Sequence, residues 1–535
     1  MSPAAAAILF VACIIFIFYG LAVIPYVGIQ NDEAIFSNCL YPNPAPWFAL
    51  SIFKKKVPLM VMSYLGASKA ALYTIIFSVF PPSAYSLRVP VLILGLLTIP
   101  GFYFFLRRVL HPPAAVFGCA LLAFDSCYLM TSVMDWGPVA IQHTCLLFGC
   151  LLVLKGYQED RMRPIYAGFF LLGFGMWDKA LFAWTLSGAG IATLLVFPNS
   201  IKRFLQPRLI GTATIFFLLG ALPLVIYNVR RPLETFRGNA KFSSEDLQQK
   251  LYLPRGTLNG SALFGYLVEE NHAVVQRAPR TPIERFALAL SDRVGERRAS
   301  LYWYAFAAAL ALTPVLLFTA YRKHVLFCLI LIGVAWGQML ATRNAGGGVH
   351  HVILLWPFPL FLIACAVAWI GDKFRRPALV ASLAGVVLCT SGLLVHNHYL
   401  AQLIRNGGPN VWTDAVFELS RQVELLSPAR AYVTDWGIFD NMRLLQQGQI
   451  PLYWASEPLM IDSPDAAQVE GARYTMATPG AVFISNTDDR QVFGPVNARL
   501  RKLAETLGFE REVLKVIRDG NGRPAFEIFR FRKKG

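Results

Sequence analysis

Eleven apolar runs of spanning length punctuate the first 400 residues, near 8–27, 87–106, 114–131, 137–155, 165–177, 180–197, 208–227, 302–321, 324–341, 350–370 and 376–396. The run at 165–177 is short for a hydrocarbon core of about 30 Å and depends on its neighbours for support. Beyond residue 400 the period changes. "ARAYVTDWGIFDNMRLL" reads as a strand entering a helix, "GAVFISNT" as a strand and "VNARLRKLAETLGF" as an amphipathic helix. "EVLKVIRD" and "AFEIFRFR" read as a hairpin joined through Gly520 and Gly522. The pattern therefore predicts an α-helical polytopic membrane protein of about eleven spans, with a small α/β domain at its C-terminal end. The boundary falls between 1–400 and 401–535.

Composition agrees. With 56% hydrophobic and 15% charged residues in a chain of 535, more apolar surface is encoded than one soluble core could bury. With a cytoplasmic N-terminus, the inner connections hold Arg107, Arg108, Lys155, Arg161, Arg163, Lys202, Arg203, Arg208, Arg322, Lys323, Lys373, Arg375 and Arg376. The short outer connections hold only Lys179 and Arg343, the asymmetry expected of short loops, and eleven crossings then leave the tail outside. A further apolar stretch, 59–80, would reverse that asymmetry if it crossed. It is read instead as an outer interfacial helix closed by Pro81 and Pro82. The first span has no basic flank before it and no small-residue cleavage site after Tyr26, so it reads as a retained anchor.

The net charge of +17 is largely this topology, and no basic module suggests a nucleic-acid partner. Of nine cysteines only Cys39 lies in an outer loop, which excludes a disulfide framework; no Cys or His spacing suits a metal. Two outer loops are long enough to fold, at about 28–86 and 228–300, the second with helix-like segments around 244–252 and 282–298.

On this topology the unusual polar residues share one side. Asp32 and Glu33 follow the first span, Asp135 lies between the third and fourth, Asp178 and Lys179 between the fifth and sixth, and Arg343, His350 and His351 between the ninth and tenth. Short connections hold these groups near the outer mouth. Singly, each has a bland role: Asp135 can cap a helix, Asp178 can pair with Lys179, and tandem histidines can bond at headgroup level. Together they mark a site.

The segments "NDE" after span one, "KVPL" (Lys56 to Leu59), "YSLRVPVLILGLLTIPGFYFFLRRVL" as span two, an acidic residue after span three, a lysine after span five, and a His-containing entrance to a late span ending in "PFPLFLIACAV" form one series. In this series the chain resembles the GT-C membrane glycosyltransferases, in particular bacterial relatives of protein O-mannosyltransferases and of the lipid A aminoarabinose transferase. The resemblance covers roughly the first 400 residues. Trp177 and Asp178 precede Lys179 where small and hydroxyl residues are more usual.

The resemblance implies an inverting glycosyltransferase in a bacterial inner membrane. It would take a sugar from a polyprenyl-phosphate donor to a hydroxyl on an extracytoplasmic glycan, lipid or protein. A phosphate leaves as an anion without a general acid, but the attacking hydroxyl must lose its proton to a carboxylate. Asp32, Glu33 and Asp135 are the candidate catalytic residues, with Asp32 as base. Lys56, Lys179 and Arg343 are candidates to neutralise the donor phosphate, a task that a divalent cation held by carboxylates would also perform. Arg88, Asp178, His350 and His351 are candidate substrate contacts. A transporter or flippase for a lipid-linked sugar is the alternative, though such proteins more often carry charge at midplane and show repeated halves.

Overall fold

The computed structural model describes residues 2–41, 46–204, 206–239, 241–270, 277–343, 345–409, 412–461 and 463–534. Each of the eleven apolar runs is helical. Among the described residues five helices, Pro3–Tyr26, Ala84–Leu106, Ala140–Gln158, Arg322–Ala341 and Pro377–Asn406, are long and apolar enough to cross a membrane singly. Three bent pairs raise that number to eight: Pro112–Ala123 with Ser126–Val133 at 56°, Val349–Leu355 with Phe358–Lys373 at 42°, and Pro207–Gly220 with Leu222–Arg230 at 77°. The runs at 165–177, 180–197 and 302–321 form the helices Met162–Asp178, Ala183–Val196 and Tyr302–Ala311. The chain is a helical membrane protein in which five to eight units have the length to cross, against the eleven runs in the sequence.

Two of the bends are joined. Asp125 ends one helix and caps the next, its Oδ1 accepting from the Tyr128 N–H at 2.9 Å; its Oδ2 accepts from Trp356 Nε1 at 2.8 Å, where the other broken pair turns. A lone carboxylate in an apolar run is costly unless bonded, and here both oxygens are.

The outer stretch 59–80 departs from the single interfacial helix expected of it. Strands β1 (Phe48–Ile52) and β2 (Lys55–Met60) form an antiparallel hairpin, so "KVPL" is strand rather than the opening of a helix. Phe53 and Lys54 turn it with φ of 47° and 64°, the two-residue geometry that matches strand twist. The chain then pairs at 64–66 with 178–180: Ala180 N donates to Tyr64 O at 2.9 Å, and Gly66 N to Asp178 O at 3.0 Å. Only after that does a helix run, Ser68–Phe77.

The C-terminal domain is a five-stranded sheet of order β4-β3-β5-β7-β6, with β3 Arg430–Val433, β4 Leu452–Trp454, β5 Ala481–Asn486, β6 Phe509–Arg518 and β7 Pro524–Lys533. β3 is parallel to β4 and β5; β7 is antiparallel to β5 and β6. The side-chain period of two sends Ala431, Val433, Val482 and Ile484 to one face, under helices Ala415–Leu426 and Phe439–Leu445. It sends Tyr432, Ala481 and Phe483 to the other, under Ala466–Ala477 and Val496–Thr506.

This domain rests on the connection that follows the first helix, residues 28–41. Helix Phe439–Leu445 packs on the short helix Asn31–Asn38. Asn441 Nδ2 donates to Ile29 O at 2.6 Å, Arg443 to Tyr41 O at 2.7 Å and Asn38 Nδ2 to Asp440 Oδ1 at 3.0 Å. Gly28 N donates to Trp412 O at 2.6 Å, and a Cβ at Gly28 would stand 1.8 Å from the Thr413 carbonyl oxygen.

Candidate functional site

The two adjacent carboxylates have opposite surroundings. Gln30 caps helix Asn31–Asn38 through a reciprocal box with Glu33, which fixes Asp32 in the first turn. Glu33 points inward: Oε1 accepts from Arg88 Nε at 3.0 Å, and Oε2 from Arg88 at 2.8 Å and from the Gln30 N–H at 3.1 Å. Arg88, fully buried, also donates to the carbonyls of Ile24, Val27 and Gly28. Every donor of that fork is directed at chain turning out of the first span. Glu33 and Arg88 are thus bonded to each other and to the chain beneath the helix.

Asp32 is half-buried, and among the described residues no side chain donates to its carboxylate. Burial pushes its carboxyl above the ordinary range; the Lys179 ammonium opposes this and the Glu33 charge adds to it. Asp32 interacts electrostatically with Tyr64, Tyr266 and Asp440 as well.

Beside it lies a buried charge cluster. The pairing of 64–66 with 178–180 brings the start of helix Ser68–Phe77 against the end of Met162–Asp178. Ser68 donates to Asp178, and Lys69, buried, is ion-paired with Asp135. Asp135 also accepts from the Val139 N–H at 3.1 Å. Lys179 Nζ donates to Gly137 O at 2.8 Å, in the same connection as Asp135. Asp178 keeps one buried oxygen without a hydrogen-bond partner among the described residues. Lys69 is the residue that sequence reading leaves out of the site. Reading 59–80 as a lipid-facing helix puts a lysine at the membrane surface, whereas the break at 61–67 turns it inward.

An aromatic wall completes the mouth. Trp136 stacks on Tyr266 at 4.0 Å and lies 4.2 Å from the His350 ring, which is 4.0 Å from His351. Gly137 makes room for His350, since a Cβ there would stand 2.5 Å from the ring, and its φ of 65° suits glycine. Both histidines keep an Nδ1 without a hydrogen-bond partner among the described residues. Tyr266 accepts from Gln30 Nε2 at 3.5 Å and meets Trp412 of the outer domain edge-on.

The structure therefore brings Asp32, Asp135, Asp178, Lys179, His350 and His351 to one mouth. Two expected phosphate contacts stay outside it. Lys56 is exposed on β2, opposite Ser51, and Arg343 is exposed and paired with Glu245 at 3.4 Å, because residues 241–245 run along its connection. Among the described residues no group of three His, Cys, Asp or Glu side chains could hold a metal ion.

Residues 69–227 match the family described as dolichyl-phosphate-mannose-protein mannosyltransferase, a span that begins at Lys69 and holds Arg88, Asp135, Asp178 and Lys179. No curated protein matches the chain by sequence. Among solved structures, ArnT from Cupriavidus metallidurans bound to undecaprenyl phosphate matches at a TM-score of 0.58 and 13% identity, over 98% of each chain. The same protein in the apo state matches at 0.59 and 12%, over 98% of each. The oligosaccharyltransferase of Archaeoglobus fulgidus tethered with an acceptor peptide gives 0.49 and 12%, over 96% of this chain and 69% of that one. With a match to ArnT over 98% of both chains, this protein has the fold of the GT-C membrane glycosyltransferases.

Proposed function

We propose that the protein is an inverting glycosyltransferase of a bacterial inner membrane, moving a sugar from a polyprenyl-phosphate donor to an extracytoplasmic hydroxyl. The observation that carries this reading is the contrast between Asp32, whose carboxylate accepts from no side chain among the described residues, and the buried lysines next to it. The acceptor oxygen attacks the anomeric carbon and its proton passes to Asp32. The bond from that carbon to the phosphate oxygen breaks, and the phosphate keeps the electron pair. Lys179 and Lys69 supply positive charge for the departing phosphate, with Asp135 holding Lys69 in place. Lys56 and Arg343 have no part in this arrangement. That ArnT binds undecaprenyl phosphate, and that the family matched at 69–227 is named for a dolichyl-phosphate sugar, supports a polyprenyl-phosphate donor.

In this reading the N-terminus is cytoplasmic and the tail extracytoplasmic. The region 1–400 holds the chemistry, and 401–535 closes over the helix bearing Asp32. Purified protein incubated with labelled polyprenyl-phosphate sugar and acceptor tests it. An enzyme releases polyprenyl phosphate as product forms, whereas a flippase moves the intact lipid and releases none.

A further inference from the structure

The β1–β2 hairpin carries a feature that this reaction does not use. Its turn residue Phe53 is 96% exposed, flanked by exposed Ile52 and Lys54 to Val57. Phe53 and Lys54 both hold left-handed backbone, an unfavoured conformation for side chains of that size, and it directs an aromatic ring into open space. The hairpin is seated on helix Leu222–Arg230: Trp47 Nε1 donates to Tyr227 Oη at 2.8 Å, and Phe48 meets the same ring at 5.3 Å. That helix bends 77° from Pro207–Gly220, so it does not continue the axis of the helix before it. It carries the hairpin with it.

The same surface is basic. Lys54, Lys55, Lys56, Arg230, Arg231 and Arg237 are exposed, and none forms an ion pair among the described residues. Glu234 is the acid among them. Exposed Trp47, Phe53, Val229 and Phe236 interleave with these cations, and Arg231 lies 5.9 Å from the Trp47 ring centre. Aromatic tips among lysines and arginines suit the headgroup layer, where the ring enters the interface and the cations meet phosphate. We infer that the hairpin and helix Leu222–Arg230 form a platform docked on anionic lipid headgroups of the outer leaflet. The platform holds the loop bearing the candidate site at a set depth, whatever reaction that site carries.

The full-length protein in lipid nanodiscs tests this. An environment-sensitive fluorophore on Phe53→Cys is compared with one on Tyr474→Cys, an exposed position of the outer domain, after subtracting labelling of the native cysteines. Lipids carrying a nitroxide at headgroup depth serve as quencher. Quenching at position 53 is expected to exceed that at 474 roughly threefold in anionic bilayers, and to fall about twofold in zwitterionic ones. Lys54→Glu with Lys55→Glu, both at exposed positions, is expected to abolish that difference between bilayers. Equal quenching at 53 and 474, or quenching at 53 that ignores lipid charge, would overturn the inference. A shifted emission without lipid quenching would also overturn it, since a protein partner would then cover the tip.

Discussion

On the outer domain, Glu418–Arg421 at 2.6 Å and Asp488–Arg501 at 2.9 Å pair in the open, along a helix or between neighbouring surface elements. At the bundle mouth, Glu33–Arg88 and Asp135–Lys69 pair out of contact with solvent. The residue types are the same and the consequences differ. An exposed pair is screened and gives little when formed or lost, whereas a buried charge deprived of its partner keeps the full cost of its lost hydration. Exposed charge on the outer domain can be exchanged freely; charge at the mouth cannot be altered one member at a time. Asp519 marks the limit of that division, since the outer domain buries it too, against Arg490 and Arg523.

The strongest way to break the contrast is Arg88→Met. It leaves Glu33 buried without a cation and three carbonyls without a donor, so a loss of about 3–5 kcal/mol is expected in denaturant unfolding of the detergent-solubilised protein. A loss near zero would move this pair to the surface class. Next comes Asp32→Asn, which keeps shape and removes proton affinity. Turnover is expected to fall about 100-fold or more, equivalent to about 2.7 kcal/mol of barrier, with the melting temperature unchanged. Normal turnover would remove Asp32 as base and leave the carboxylate without a role.

A finer test uses pH. A base works only when deprotonated, so the rate is expected to fall as pH drops through the raised Asp32 pKa. Lys179 lowers that pKa, so Lys179→Gln should move the acid limb of kcat/KM to higher pH. A limb that stays in place would uncouple the two residues. On the outer domain, burial raises the Asp440 carboxyl to about 6, with Asn38 and Arg443 opposing the shift. The folded form thus holds this proton more tightly than the unfolded chain, whose Asp titrates near ~3.9. The resulting contribution to stability is present below about pH 4 and lost as pH rises to about 6. Asp440→Asn should flatten that part of the melting-temperature profile between pH 4 and pH 7, and an unchanged slope would count against it. Smallest of all, Arg501→Ala should change stability by less than about 0.5 kcal/mol.

The bundle and the sheet domain were legible because their periods are strong and local: apolar runs for the first, alternating strands and one amphipathic helix for the second. The mouth was legible as a set of connections, since short loops on one side of a membrane must converge. Partnership was not. Arg88 stands out as a charge in an apolar span, yet nothing in the order of residues says that it meets Glu33 rather than substrate, because the pairing spans 55 positions. The inward place of Lys69 was not legible because 59–80 is apolar enough to look continuous; the break depends on backbone pairing with 178–180, which no local pattern encodes. Asp125 carried a usable signal as a lone carboxylate in the third run, and its partner Trp356 lies 231 positions away.

The seam at Gly28 bears on how such proteins can be recombined. Helix Asn31–Asn38 has Arg88 beneath it and Phe439–Leu445 above it, and the carbonyl of Thr413 comes so close to Gly28 that a methyl group would not fit. The outer domain is therefore fitted to this particular loop. Chimeras that exchange it between relatives at a cut near residue 400 should fail at the joint even when both halves fold. Those that transplant residues 28–41 together with the tail should succeed, making the first outer loop part of the exchangeable unit although nearly 400 residues separate it from the rest.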